Sequence, residues 1–123
     1  MTRALRITTT FDAYSSGAVS AGTIKEFVSP CAGTINAVEA NAATAGTGAG
    51  STRLQVLVNG VDVYQDVATN APSLLAASTG RFSTVAPPAA RAAVKAGDLI
   101  TLGTASVSTT GHARLAFSIG LTP

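Results

Sequence analysis

Leu54-Gln-Val-Leu-Val-Asn-Gly-Val-Asp-Val-Tyr64 is the stretch that decides the fold class. Asn59-Gly60 is a strong hairpin signal, because both central residues of a type I′ turn need positive φ. A two-residue turn there pairs Val58 with Val61, Val56 with Val63, and Leu54 with Gln65. Side chains alternate along a strand. Leu54, Val56, Val58, Val61 and Val63 therefore share one apolar face, while Gln55, Leu57, Asp62 and Tyr64 share a mixed one. The reading is a half-buried antiparallel ribbon with no catalytic group on its buried side.

Outward from the hairpin, short strands and turns continue. Leu5, Ile7 and Thr9 alternate with Arg6, Thr8 and Thr10, which predicts an N-terminal strand or arm ending near Phe11. Asp12 to Gly22 reads as loop. Thr23 to Val28 reads as a strand with Ile24, Glu26 and Val28 on one side, and Pro30 ends it. Gly33 to Ala40 is a further strand, with Ile35 opposed to Val38. Asn41 to Ser51 reads as a flexible Gly-rich connection, and Pro72 to Ala77 as a helical turn. Arg81 to Val85 is a short strand, and Pro87-Pro88 interrupts the chain.

The C-terminal third is the clearest. A turn over Ala92–Asp98 leads into a strand over Leu99–Val107. A second turn, Ser108–His112, leads into Ala113–Leu121, with Leu115, Phe117, Ile119 and Leu121 on one face. About eight short antiparallel strands without a helical period predict an all-β single domain, a β-sandwich or a barrel. Residues 1–22 form the N-terminal arm or strand and its loop, and residues 23–123 the sandwich domain.

Composition limits what such a domain can do. The chain has 123 residues, enough for one core. It carries 24 Ala, 17 Thr and 12 Gly against 8 Lys and Arg and 6 Asp and Glu. The net charge of +2 is too small to point to nucleic acid, and the sparse charge suits a chain packed against partners. No run approaches the about 18 apolar residues of a membrane helix. The N-terminus shows no apolar core of signal-peptide length, which predicts synthesis in the cytoplasm.

Candidate chemical groups are few. His112, the single histidine, lies in a predicted turn and reads as a surface residue. One His and the lone Cys31 cannot supply a four-ligand metal site, and no Asp-x-Asp loop suggests calcium. Gly46-x-Gly48-x-Gly50 precedes a strand, whereas a phosphate loop needs a helix behind it. Cys31 reads as a buried, inert thiol. With no Trp, and with Tyr14 and Tyr64 in unlike segments, no aromatic platform for sugar is legible. No catalytic, cofactor or metal residues are expected, and the chain is not expected to be an enzyme. Arg3 and Arg6 make a small basic arm, with Leu5 and Ile7 as apolar anchors.

Pro30-Cys-Ala-Gly33-Thr-Ile-Asn-Ala-Val38 and Val94-Lys-Ala-Gly97-Asp98-Leu are similar to the turns of biotinyl and lipoyl domains. That family carries its group on a hairpin lysine. Here Lys25 and Lys95 are the only lysines, and the hairpin tip is Asn59-Gly60, so that likeness is rejected. A second resemblance takes in nearly the whole chain. Pro30 to Val38, Thr44-Ala-Gly-Thr47, Val56-Leu-Val-Asn-Gly60, Val94 to Ile100 and Leu115 to Leu121 follow the order seen in small β proteins of tailed-bacteriophage particles. The chain resembles the jelly-roll capsid decoration (cement) and head-fibre proteins among them.

The resemblance implies a non-enzymatic homotrimer on the capsid exterior, bound to the major capsid protein and stabilising the expanded head, with no nucleic-acid or membrane partner. Arg3, Leu5, Arg6 and Ile7 are the expected capsid or neighbour-chain contacts, and Asn59, Gly60, Gly97 and Asp98 the structural turns. The competing assignment is a tail, baseplate or head-spike module that binds host surface glycan.

The hairpin reading makes a direct prediction. Gly60→Val should lower stability by about 1–2 kcal/mol, the cost of forcing a side chain into the left-handed region. Urea unfolding checks this; an unchanged midpoint would contradict the type I′ turn.

Overall fold

The computed structural model describes residues 9–64, 72–83, 87 and 89–123. Its strands are β1 (Thr9–Ser15), β2 (Gly22–Val28), β3 (Gly33–Thr44), β4 (Ser51–Val58), β5 (Val61–Asp62), β6 (Ser73–Leu75), β7 (Gly80–Ser83), β8 (Ala93–Val94), β9 (Leu99–Ser106) and β10 (Ala113–Thr122). A single helical turn, Ala89–Ala92, leads into β8.

Two antiparallel sheets pack face to face. One runs β1-β10-β3-β7, with β8 also paired to β3; the other runs β2-β9-β4-β5, with β6 also paired to β4. The first strand pairs with the last, and β2 pairs with β9. Strands β3 and β4 then take the far sides of β10 and β9. This rolled nesting of strand pairs is the jelly-roll arrangement of a β-sandwich.

The inward row of β10 organises the core. Leu115, Phe117, Ile119 and Leu121 are all buried, as their alternation predicts. Phe117 lies between Ala13 on β1 and Ala40 on β3, and Leu115 lies opposite Ala42. Directly paired residues share a face of the sheet, so the alanines make room for the larger side chains. Leu54 and Val56 of β4 and Ile100 and Leu102 of β9 meet them from the second sheet. Burying each large side chain contributes about 1.5–3 kcal/mol.

The hairpin stands in the expected register. Val58 pairs with Val61 and Leu57 with Asp62, and the Val63 N–H donates to the Val56 carbonyl at 3.0 Å. Asn59 has φ of 51° and Gly60 of 83°, the signature of a type I′ turn. Gln65 lies outside the described residues. The face assignment holds less well. Val61 is exposed and Tyr64 buried, because β5 is an edge strand that pairs for only two residues.

Packing overrides several local expectations. β1 continues to Ser15, through residues expected to be loop, because Ala13 fits against Phe117. β3 continues to Thr44 for the same reason at Ala40 and Ala42. Ser73–Leu75 is a strand, not a helical turn; it satisfies the edge of β4. Irregularities break the two-residue period. Gly120 pairs with Ala37 but Leu121 with Ile35, so Asn36 is an extra residue and Ile35 and Val38 both point inward. A shift between Thr23 and Lys25 lets Ile24 and Phe27 both pack against the core. Such bulges change which residues face inward.

His112 departs most from its expected place. It is wholly buried, not on the surface. Thr52 Oγ1 lies 2.7 Å from its Nδ1. Nε2–H donates to the carbonyls of Leu75 and Ser78, at 3.1 and 3.0 Å. The His112 carbonyl accepts from Val19 N at 2.9 Å. This one side chain ties the β6–β7 turn to β4 and to the start of β10. His112→Ala would leave the Thr52 hydroxyl and two carbonyls without their partner, each at a cost of about 1–3 kcal/mol when buried. A loss of about 3 kcal/mol or more is expected in urea unfolding; a loss below about 1 kcal/mol would contradict this role.

Candidate functional site

Among the described residues, two places on the surface gather polar side chains. The first is the end of the sandwich where the turn residues named from sequence meet. The Asn59 side-chain amide donates to Asp98 Oδ1 at 3.0 Å, and Asn59 Oδ1 accepts from Leu99 N at 2.9 Å. The other carboxylate oxygen, Asp98 Oδ2, accepts from Lys95 N at 2.8 Å. Gly97, with φ of 93°, donates its N–H to the Ser29 carbonyl at 2.8 Å. Ser29 N in turn donates to the Asp98 carbonyl at 2.8 Å. The turns after β2, β4 and β8 are thus one hydrogen-bonded unit. Both oxygens of Asp98 are engaged, which makes it a structural carboxylate. The Lys95 N–H, and then the Asn59 amide, hold its pKa below the usual value.

Cys31 is free and half-buried beside this end, less enclosed than expected. The Ser29 hydroxyl donates to its carbonyl at 2.8 Å. The expected contact residues Arg3, Leu5, Arg6 and Ile7 lie outside the described residues.

The second place is a groove of about 440 Å³ on the outer face of the first sheet. Register builds it. Asp12, Ser118 and Glu39 lie in one row across β1, β10 and β3; Tyr14, Ala116 and Asn41 form the next. Their neighbours Ala13, Phe117 and Ala40 point into the core, so these six point outward. Small residues on β10 make the floor, and longer ones on β1 and β3 make the sides. Tyr14 is 61% exposed. None of the six was singled out as a site from sequence, since Asp12 and Tyr14 fell in a stretch read as loop. The usable signal was the second phase of β10, where Ala116, Ser118 and Gly120 are all small.

Other groups are committed to the fold. Thr52 and His112 stand at the spacing of a nucleophile and its base, but both are buried, Thr52 meets Nδ1 where a triad nucleophile meets Nε2, and the other ring nitrogen donates to backbone carbonyls instead of a carboxylate. Tyr64 is buried, and burial together with the nearby Asp62 carboxylate pushes its phenol up to about 12. Among the described residues, no three His, Cys, Asp or Glu side chains gather as a metal site, and no helix is long and apolar enough to cross a membrane.

Comparison with protein-family models, with curated proteins and with solved structures gave no match to this chain.

The turn unit predicts an acid dependence. A carboxyl with a depressed folded-state pKa stabilises the protein above the unfolded value, about 3.9, and loses that contribution as pH falls through the folded value. Asp98→Asn should therefore shrink the gap between melting temperatures measured at neutral pH and at about pH 3. An identical gap in the two proteins would contradict the role given to Asp98.

Proposed function

We propose that this protein is a non-enzymatic structural component of a tailed-phage particle. In this reading it is a decoration (cement) protein, made in the host cytoplasm and bound as a homotrimer to the outer capsid surface. The major capsid protein is its partner, and the expanded head is the state it stabilises. The observation that carries the reading is the order of turn motifs from Pro30 to Leu121, together with the jelly-roll sandwich into which those turns fold.

The physics of the role is linkage. A protein that binds the expanded shell but not its precursor shifts the balance toward expansion. Many copies on a lattice multiply modest single contacts. Sparse surface charge lowers the desolvation cost of such contacts. Val28 and Leu99 pair across β2 and β9 and leave exposed apolar area beside the turn unit. Arg3, Leu5, Arg6 and Ile7 precede β1, which β10 holds along its whole length; in this reading they contact the capsid or a neighbouring copy. Guanidinium groups suit a carbonyl- or carboxylate-rich surface.

Co-sedimentation with purified heads tests the proposal. The full chain should bind expanded heads and leave procapsids bare. Deleting residues 2–8, which spares every residue of β1, should abolish binding without changing the unfolding midpoint. Equal binding to both head forms, or none to either, would overturn the reading. Unaltered binding after the deletion would overturn the role of the arm.

A further inference from the structure

We propose that the groove on the outer face of the first sheet binds a neutral oligosaccharide. This goes beyond the capsid role and does not depend on it.

Asp12, Ser118 and Glu39 form a line of carboxylate, hydroxyl and carboxylate across three strands. Tyr14, Ala116 and Asn41 form a line of aromatic ring, methyl and amide beside it. Carboxylates and amides accept and share hydrogen bonds from vicinal hydroxyls. An exposed phenol ring offers an apolar face with a polar tip, which suits the C–H face of a pyranose. Ala116, itself exposed, leaves open floor between Tyr14 and Asn41 where a ring can rest against the tyrosine. A groove of about 440 Å³ lies within the ordinary range for small-ligand sites, about 300–1,000 Å³.

Charge and spacing select among ligands. Asp12 and Glu39 set carboxylates on both sides of the groove, with the Lys25 ammonium on the Asp12 carbonyl at 2.9 Å, a mixed lining that does not favour a phosphate, sulfate or sialic acid group. The two carboxylates do not converge on a single cation either. Asp12 and Glu39 sit on strands separated by β10, so their backbones are about 10 Å apart, two inter-strand spacings. One ammonium or guanidinium meets one of them at a time, whereas a chain of two or three hexose units spans both. A single copy should bind weakly, near the millimolar range, and a lattice of copies would raise the avidity.

The test is a chemical-shift titration of the ¹⁵N-labelled full chain. The probes are maltotriose, cellotriose and chitotriose as neutral sugars, sialyllactose as an anionic one, and a tri-arginine peptide as a cation. At least one neutral trisaccharide should shift the amides of Tyr14, Asn41 and Ser118 in a saturable way. Tyr14→Ala should weaken that binding about tenfold, the loss of one aromatic contact. Ala116→Gln, which fills the floor from an exposed position, should weaken it further while leaving the unfolding midpoint in place. No saturable shift at these residues with any neutral trisaccharide would overturn the proposal. A stronger response to sialyllactose or to the arginine peptide would also overturn it, as would wild-type affinity in both variants. Capsid heads take no part in this titration, so the two proposals can fail separately.

Discussion

Phe117, held between Ala13 and Ala40, is the contact on which the rest of the fold depends. Strand β10 is flanked by β1 and β3 over most of its length. Its inward row of Leu115, Phe117, Ile119 and Leu121 therefore needs small or matching neighbours on both sides at once. Close-packed interiors tolerate little volume change at such positions. The alanines at 13, 40 and 42, poor strand formers by intrinsic preference, are strand residues here because this row requires them. The outward phase of the same strand is small for a different effect: it leaves open the floor of the groove. One alternating segment thus sets both the core and the candidate site.

The sandwich is closed at its sides and ends by a few specific contacts. Phe11 and Phe27 stack with ring centroids 4.4 Å apart, joining β1 to β2 across the two sheets. Lys25 Nζ donates to the Asp12 carbonyl at 2.9 Å, which masks part of the β1 edge. A lysine placed on an edge discourages unwanted strand pairing, a useful property in a weakly charged chain. The Asn59–Asp98 unit ties one end. At the other, Thr47 and Thr110 exchange backbone hydrogen bonds of 2.9 and 3.0 Å, and His112 secures the neighbouring turn. Gly46 sits against the Thr110 carbonyl with no room for a side chain. The glycine-rich segment read as flexible is a fitted loop.

Legibility followed the range of the forces involved. The Asn59-Gly60 turn is local backbone chemistry, and its register was readable. The β10 face is uninterrupted alternation and was readable too. The all-β class followed from strands and turns in number, and the Gly97-Asp98 turn from its own residues. Illegible were features decided by distant partners. Asn36 and Ile24 are extra residues only relative to the strands beside them. Ser73–Leu75 is a strand only because β4 offers it an edge. His112 looks like any turn residue until Thr52, Leu75 and Ser78 arrive from elsewhere in the chain. The groove was hidden for the same reason: its six residues come from three segments that only sheet register brings together.

A wall-like role and a sugar-binding groove are compatible on this scaffold, because the groove uses one sheet's outer face and the exposed Val28–Leu99 pair lies on the other sheet. A protein seated by its second sheet would turn the groove toward solvent. A density map of the particle that carries this chain tests that account most directly. It should show copies grouped in threes on the outer capsid surface, with Tyr14 and Asn41 facing outward. Copies confined to the tail or baseplate, or a groove pressed against the shell, would contradict it.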